Sequence, residues 1–242
     1  MHASMQYSDT KAQQIHDAQA VFAYAQKHRV WWLTGTEANQ PADAANFRIG
    51  AEQYSYQFIH RGGDVWVALS PLVAAGRPSS AWTAVIPGKK GAYPTRGVLR
   101  VSFSHVQLGR ITVLASHYNL SGPKHPNAPG AKQNPIIAAE LQAQVRKYGK
   151  GNGLVFYGGD QNMHDERPHS DTFFGGWLIS AWDELDVYDP THPGHETIDV
   201  IARSIKDTRV GAVYCHGLDD TKIALHTDHY PVEASYDIRP LR

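Results

Sequence analysis

LVFYGGDQNMH, residues 154–164, decides how the rest of the chain is read. An apolar run closes in two glycines, an acid and an amide. That is the pattern of a buried strand delivering Asp160 and Asn162 to the mouth of a sheet. Residues two apart on a strand point the same way, so both side chains address one ligand. The carboxylate is a hard donor for a cation such as Mg²⁺, and the amide can donate to a phosphate oxygen. The same letters also serve as turn residues, which is the plainer reading. Three further polar clusters end apolar runs in the same manner: TGTEAN at 34–39, ASHYN at 115–119 and TDHYP at 227–231.

Outward from this stretch the periodicities give the elements. Ile15, Ala18, Phe22 and Ala25 predict a helix that Asp9 could cap; Ile137, Leu141, Val145 and Tyr148 predict a second. A third helix is expected through Trp177 to Leu185. Strands are expected over Val30–Leu33, Tyr54–Ile59, Val65–Leu69, Ala81–Ile86, Val98–Val106, Ile111–Ala115, Thr197–Ile201, Val210–Tyr214 and Val232–Tyr236. Gly109-Arg110 reads as a hairpin turn, and 38–50, 87–97 and 120–132 read as loops. Residues 1–8 fit either a short strand or a loose end. Many hairpins and few helices argue against a doubly wound parallel sheet. They favour two mixed β-sheets packed face to face and flanked by helices, an α/β sandwich in one domain over 1–242.

Bulk composition narrows the function classes. With 42% hydrophobic and 19% charged residues, the chain has the makeup of a folded protein. Lys plus Arg and Asp plus Glu each total 23, so any cationic surface must be local. One cysteine, Cys215, excludes an intrachain disulfide and a cysteine-rich metal site. No signal-peptide pattern and no long apolar run is present, which gives the expectation of a cytoplasmic protein without a membrane span. No oligomer signal is evident, and a monomer is expected. HExxH, CxxC, GxxxxGK, GxSxG and a dinucleotide fingerprint are all missing.

The polar clusters supply the chemistry. Glu37 at a strand end would join Asp160 as a second hard ligand for one cation. His117 ends a strand and could hold a phosphoryl oxygen or move a proton. Asp199 stands between Ile198 and Val200, where an unpaired charge is costly. An Asp199–His229 pair removes that cost and orients the imidazole; the plainer reading puts Asp199 on a solvent-facing edge.

Taken in order, GTEAN, ASHYN, GGDQN, TIDVI and TDHYPV resemble the motifs of the endonuclease/exonuclease/phosphatase family, spanning Thr34 to Val232. The resemblance implies the DNase I-like four-layer α/β sandwich and a metal-dependent phosphodiesterase. Glu37 resembles the metal-binding glutamate, Asp160 the aspartate beside the attacking water, and Asn162 its phosphate-positioning neighbour. Asp199 resembles the partner of His229, and Asp228 a second metal-site or metal-adjacent acid. His117 resembles the histidine of the DNase I branch. Ser4 or Gln6 stands where the family places a metal-binding Asn or Asp. The implied cofactor is Mg²⁺, with Mn²⁺ or Ca²⁺ as substitutes. The implied substrate is a nucleic acid, DNA first and RNA second. Asn119, Arg96, Lys124, Arg167 and Trp177 are the expected substrate contacts. A small-molecule or lipid phosphoesterase, and a catalytically weak nucleic-acid-binding module, are the rival readings.

Overall fold

The computed structural model describes residues 1–5, 10–73, 77–88, 95–121, 125, 127–128, 130–162, 174–192, 196–219 and 221–240. Twelve strands among them form two six-stranded sheets. The first sheet holds β1 (His2–Ser4), β2 (Trp32–Thr36), β3 (Gln57–His60), β4 (Trp66–Leu69), β11 (Val210–Gly217) and β12 (Val232–Ile238). Its strand order is β11-β12-β1-β2-β4-β3. The second holds β5 (Ser79–Ile86), β6 (Arg96–His105), β7 (Gly109–His117), β8 (Leu154–Asp160), β9 (Leu178–Ser180) and β10 (Asp199–Ser204), ordered β5-β6-β7-β8-β10-β9. Helices α1 (Lys11–Lys27) and α2 (Pro41–Gln53) cover the first sheet; α3 (Asn134–Tyr148) and α4 (Ala181–Leu185) cover the second.

Period-two alternation explains the four layers. On β4, Trp66 and Ala68 face the helices, where Trp66 packs among Phe22, Phe47 and Phe58. Val65, Val67 and Leu69 face the other sheet. On β8, Val155 and Tyr157 join the α3 side, while Leu154 and Phe156 join the core between the sheets. The same alternation continues to Gly158 and Asp160, which therefore face the first sheet. At Gly158 a Cβ would lie 2.0 Å from the Thr34 hydroxyl, so glycine is what lets the sheets meet there. Two residues later the gap opens and Asp160 can carry a full side chain.

Several expectations change. Residues 38–50 are mostly helix rather than loop: α2 starts with Pro41 at its first position, and Asp43 accepts the N–H of Gln40 at 2.8 Å. Its buried face is largely small, with Ala44, Gly50 and Ala51 beside Phe47, so the apolar period is faint. The β6–β7 turn is Val106–Leu108; Gly109 already pairs with His105, its φ of 77° suiting glycine. Trp177–Leu185 is not one helix but β9 followed by α4, which Ser180 caps by accepting the Asp183 N–H at 3.0 Å. The first residues form β1, parallel to β2. Thr10 caps α1; Asp9 lies outside the described residues.

Candidate active site

Strand register assembles the site before any side chain is considered. On the second sheet His117 of β7 pairs with Asp160 of β8, and Asp160 pairs with Asp199 of β10. Directly paired residues project from the same face. These three side chains therefore form one row at the edge of the sandwich, facing the first sheet. From the first sheet Ser4 pairs with Thr36, and Glu37 follows where β2 ends. Glu37 takes a left-handed conformation, φ 72°, which is uncommon for a residue with a Cβ and swings it off the strand. The next N–H, that of Ala38, donates to Asp64 O at 3.0 Å and holds the turn.

Asp199 is fully buried and its carboxylate is saturated. Oδ2 pairs with His229 Nδ1 at 2.7 Å. Oδ1 accepts from Ser4 Oγ at 2.7 Å and lies 3.1 Å from His2 Nε2. Burial alone would raise its pKa, but His229 and His2 prevail and hold it far below the usual carboxylate range. Burial likewise works against a charge on His229; Asp199 first, then Asp160 and Glu37, outweigh it and push the imidazole up to about 10.

A second imidazole is held in the same way. His117 Nδ1 lies 2.6 Å from Asp64 Oδ2, and Arg96 pairs with that same oxygen. Burial pushes Asp64 up, but His117 and Arg96 bring it down to about 2. Burial and Arg96 oppose a charge on His117, whereas Asp64 and Asp160 favour it, and it rises to about 9. His117 Nε2 then lies 3.2 Å from Asp160 Oδ2 and 2.6 Å from the amide of Asn162. Asn162 has φ 48°, a conformation asparagine tolerates, and its N–H donates to Asp160 Oδ1 at 2.6 Å.

Among the described carboxylates of this assembly two oxygens are buried without a hydrogen bond, Asp64 Oδ1 and Glu37 Oε2, and of these two residues Glu37 is the one grouped with Asp160 and His229. Burial lifts the Glu37 carboxyl to about 7, although His117 and His229 pull the other way. One oxygen or nitrogen each from Glu37, Asp160 and His229 lie within 4.8 Å of one another. An orphaned carboxylate oxygen facing a second carboxylate and an imidazole is what a bound cation would satisfy. These three residues could hold one.

No protein-family model matches the sequence, and no curated protein matches it. Solved structures do match. An endonuclease/exonuclease/phosphatase from Bacteroides vulgatus is 14% identical with a TM-score of 0.71, over 98% of this chain and 97% of that one. A mannosyl-6-phosphatase from Bacteroides thetaiotaomicron is 14% identical with a TM-score of 0.70, over 97% of each chain. The D. rerio TDP2 complexed with a single-stranded DNA product is 15% identical with a TM-score of 0.66, over 97% of this chain and 96% of that one. The chain has the endonuclease/exonuclease/phosphatase, DNase I-like fold.

Within that fold the expected residues separate into two groups. Glu37, His117, Asp160, Asn162, Asp199 and His229 converge as the sequence suggests. Asp228 lies beside the cation group rather than within it: it is half-buried, with Oδ1 3.8 Å from His229 Nε2 and Oδ2 3.7 Å from His192 Nε2. Arg96 is not a loop cation but the first residue of β6, buried against Asp64. Asn119 is buried too; its N–H donates to Asn134 Oδ1 at 2.9 Å and its Oδ1 accepts from Arg96 at 3.3 Å, so it braces the start of α3. Trp177 sits at the wrong end. It precedes β9, whose Leu178 pairs with Ser204, the far end of β10 from Asp199, and Arg146 and Lys206 lie over its ring. Lys124, Arg167 and Gln6 lie outside the described residues.

Ser4, considered as a stand-in for the metal-binding amide, is committed to Asp199 and to Thr36 Oγ1 at 2.7 Å. Asp64 and His2 were not foreseen. Asp64 follows Arg61-Gly62-Gly63 and reads as a turn; the one signal for it is that a buried strand-end histidine requires a carboxylate. His2 lies in a segment too short to show a period. A cavity of about 360 Å³ lined by Trp31, Trp32, His105 and Tyr236 opens where β2 begins, the opposite end from Glu37, and shares none of these side chains.

Proposed function

We propose that this chain is a divalent-cation-dependent phosphodiester hydrolase, with a nucleic-acid backbone, DNA before RNA, as substrate. The observation that carries the proposal is the orphaned Glu37 Oε2, set within reach of Asp160 and His229 beside two carboxylate-held imidazoles. Glu37 and Asp160 would hold the cation, Mg²⁺ by the hardness of their oxygens, with Mn²⁺ or Ca²⁺ as substitutes. The bound cation would polarise the phosphoryl centre and neutralise charge on the leaving oxygen.

The protein's own groups divide the remaining work. Asp199 fixes His229 through Nδ1 and leaves Nε2 toward Glu37 and Asp160. Asp64 fixes His117 in the same way, leaving Nε2 toward Asn162. Each ring, held through Nδ1 by a buried carboxylate and itself shielded from bulk water, is pre-aligned to meet a phosphoryl oxygen with Nε2. Asp160 lies 3.2 Å from His117 Nε2 and within 4.8 Å of His229; it would orient the attacking water in concert with His229. Asn162 would donate to a non-bridging oxygen.

A second reading, hydrolysis of a small phosphoester, is favoured by one observation. Of the cations and aromatics expected at the mouth, Arg96 is buried and Trp177 stands at the far end. Plasmid nicking with and without EDTA, run beside a panel of soluble phosphate esters, decides between them. Mg²⁺-dependent nicking lost in Asp160→Ala supports the nuclease. Turnover of the panel alone supports the second reading. No hydrolysis of either refutes both and leaves a binding module.

A further inference from the structure

Helix α1 presents a second group of cation ligands, of different chemistry and away from the row just described. His16 and Asp17 are neighbours on α1, and His226 precedes the Thr227–Pro231 loop. His16 Nδ1 lies 3.2 Å from Asp17 Oδ1, and His226 Nδ1 lies 2.8 Å from the same oxygen. Asp17 is buried while both histidine rings are largely exposed, so the group is anchored on one side and open on the other.

We propose that His16, Asp17 and His226 form a binding site for a borderline transition-metal ion, Zn²⁺ being the representative, that ties α1 to the loop carrying His229. Three features of the geometry support it. In a tetrahedral zinc site with bonds of ~2.0–2.1 Å, neighbouring ligand atoms stand ~3.3 Å apart. Of the two nitrogen–oxygen separations here, 3.2 Å matches that edge and 2.8 Å falls short of it. Two imidazoles on one such ion place their ring centres ~5 Å apart. The centres of His16 and His226 are 5.2 Å apart, with an angle of 77° between the planes. Finally, Asp17 Oδ2 accepts the His226 backbone N–H at 3.1 Å. Oδ1 can therefore serve a metal while Oδ2 keeps the carboxylate oriented, the outer support that metal-binding carboxylates generally have.

The ligand set also chooses the ion. Two imidazole nitrogens and one carboxylate suit Zn²⁺, Ni²⁺ or Cu²⁺ rather than Mg²⁺, which prefers the oxygens of Glu37 and Asp160. Occupancy would pin His226, and with it the loop in which Thr227 Oγ1 donates to Ser4 O at 3.2 Å and His229 pairs with Asp199. The proposal does not depend on the hydrolytic reading.

Zn²⁺ titration by calorimetry of the EDTA-stripped full chain tests it, with Co²⁺ visible absorption reporting coordination geometry. Wild type is expected to bind one equivalent at His16, Asp17 and His226, and Asp160→Asn to keep it. His16→Ala should lose that equivalent, its affinity falling by at least the ~10–100-fold that removing even an outer-shell partner causes. His16 is an exposed helix position, so alanine there leaves the fold intact; His226→Ala should agree. Identical titrations of wild type and His16→Ala would overturn the proposal, as would complete loss of Zn²⁺ binding in Asp160→Asn.

Discussion

Glu37 is placed where its charge harms the metal-free fold, and that cost can be measured. Its Oε2 is buried without a partner, and its carboxyl has moved from 4.5 to about 7. A raised carboxyl pKa means that the folded state binds the proton more tightly than the unfolded chain. Stability is therefore lost as pH rises from about 4.5 through about 7, and the full penalty applies above that range. Each pKa unit corresponds to ~1.4 kcal/mol, so the penalty is on the order of 3 kcal/mol. Glu37→Gln keeps the shape and removes the charge. In EDTA at pH 8 the variant should be more stable than wild type by ~1–3 kcal/mol, which raises the urea midpoint by ~0.5–1.5 M at a typical slope. At pH 4.5 the gap should close. Added Mg²⁺ should restore wild type through ligand linkage and leave the variant unchanged. Urea unfolding followed by tryptophan fluorescence at the two pH values is the assay. A variant less stable than wild type at pH 8 in EDTA, or a gap that ignores pH, would refute the placement of Glu37.

Three further outcomes follow from the same geometry. Asp199→Asn leaves Ser4 and His229 in place but removes the charge that holds the imidazolium; kcat should fall ~10²–10⁴-fold with KM little changed, as steady-state kinetics would show. Asp64→Asn strands Arg96 in a buried position and should cost ~3–5 kcal/mol near neutral pH. Because the Asp64 carboxyl is held down to about 2, its contribution is present above about 4 and is lost as pH falls through about 2. The deficit of the variant should therefore shrink in acid, measured by denaturation across that range. Gly158→Ala forces a methyl into Thr34 and should cost ~1–3 kcal/mol or more, seen as a lowered Tm.

The sequence alone carried the order of the chemistry. Apolar runs ending in Glu37, His117 and Asp160 are local patterns, and a strand rule turns each into a side chain at a sheet edge. Asp199 between two apolar residues demanded a partner, and His229 supplies it at 2.7 Å. What stayed hidden depended on contacts between segments remote in number. Asp64 pairs with a histidine 53 residues away, and His2 with an aspartate 197 residues away; nothing near either marks the match. Arg96 and Trp177 carry the right chemistry for a substrate, but only the packed structure shows one buried and the other at the far end of β10. Helix α2 escaped because its buried face is largely alanine and glycine, which give little hydrophobic period even though they allow the close approach of Gly50 to Ala18. The sequence determined which groups are available and which strands deliver them. Tertiary structure decided which of them meet, because register across two sheets fixes distances that no local periodicity encodes.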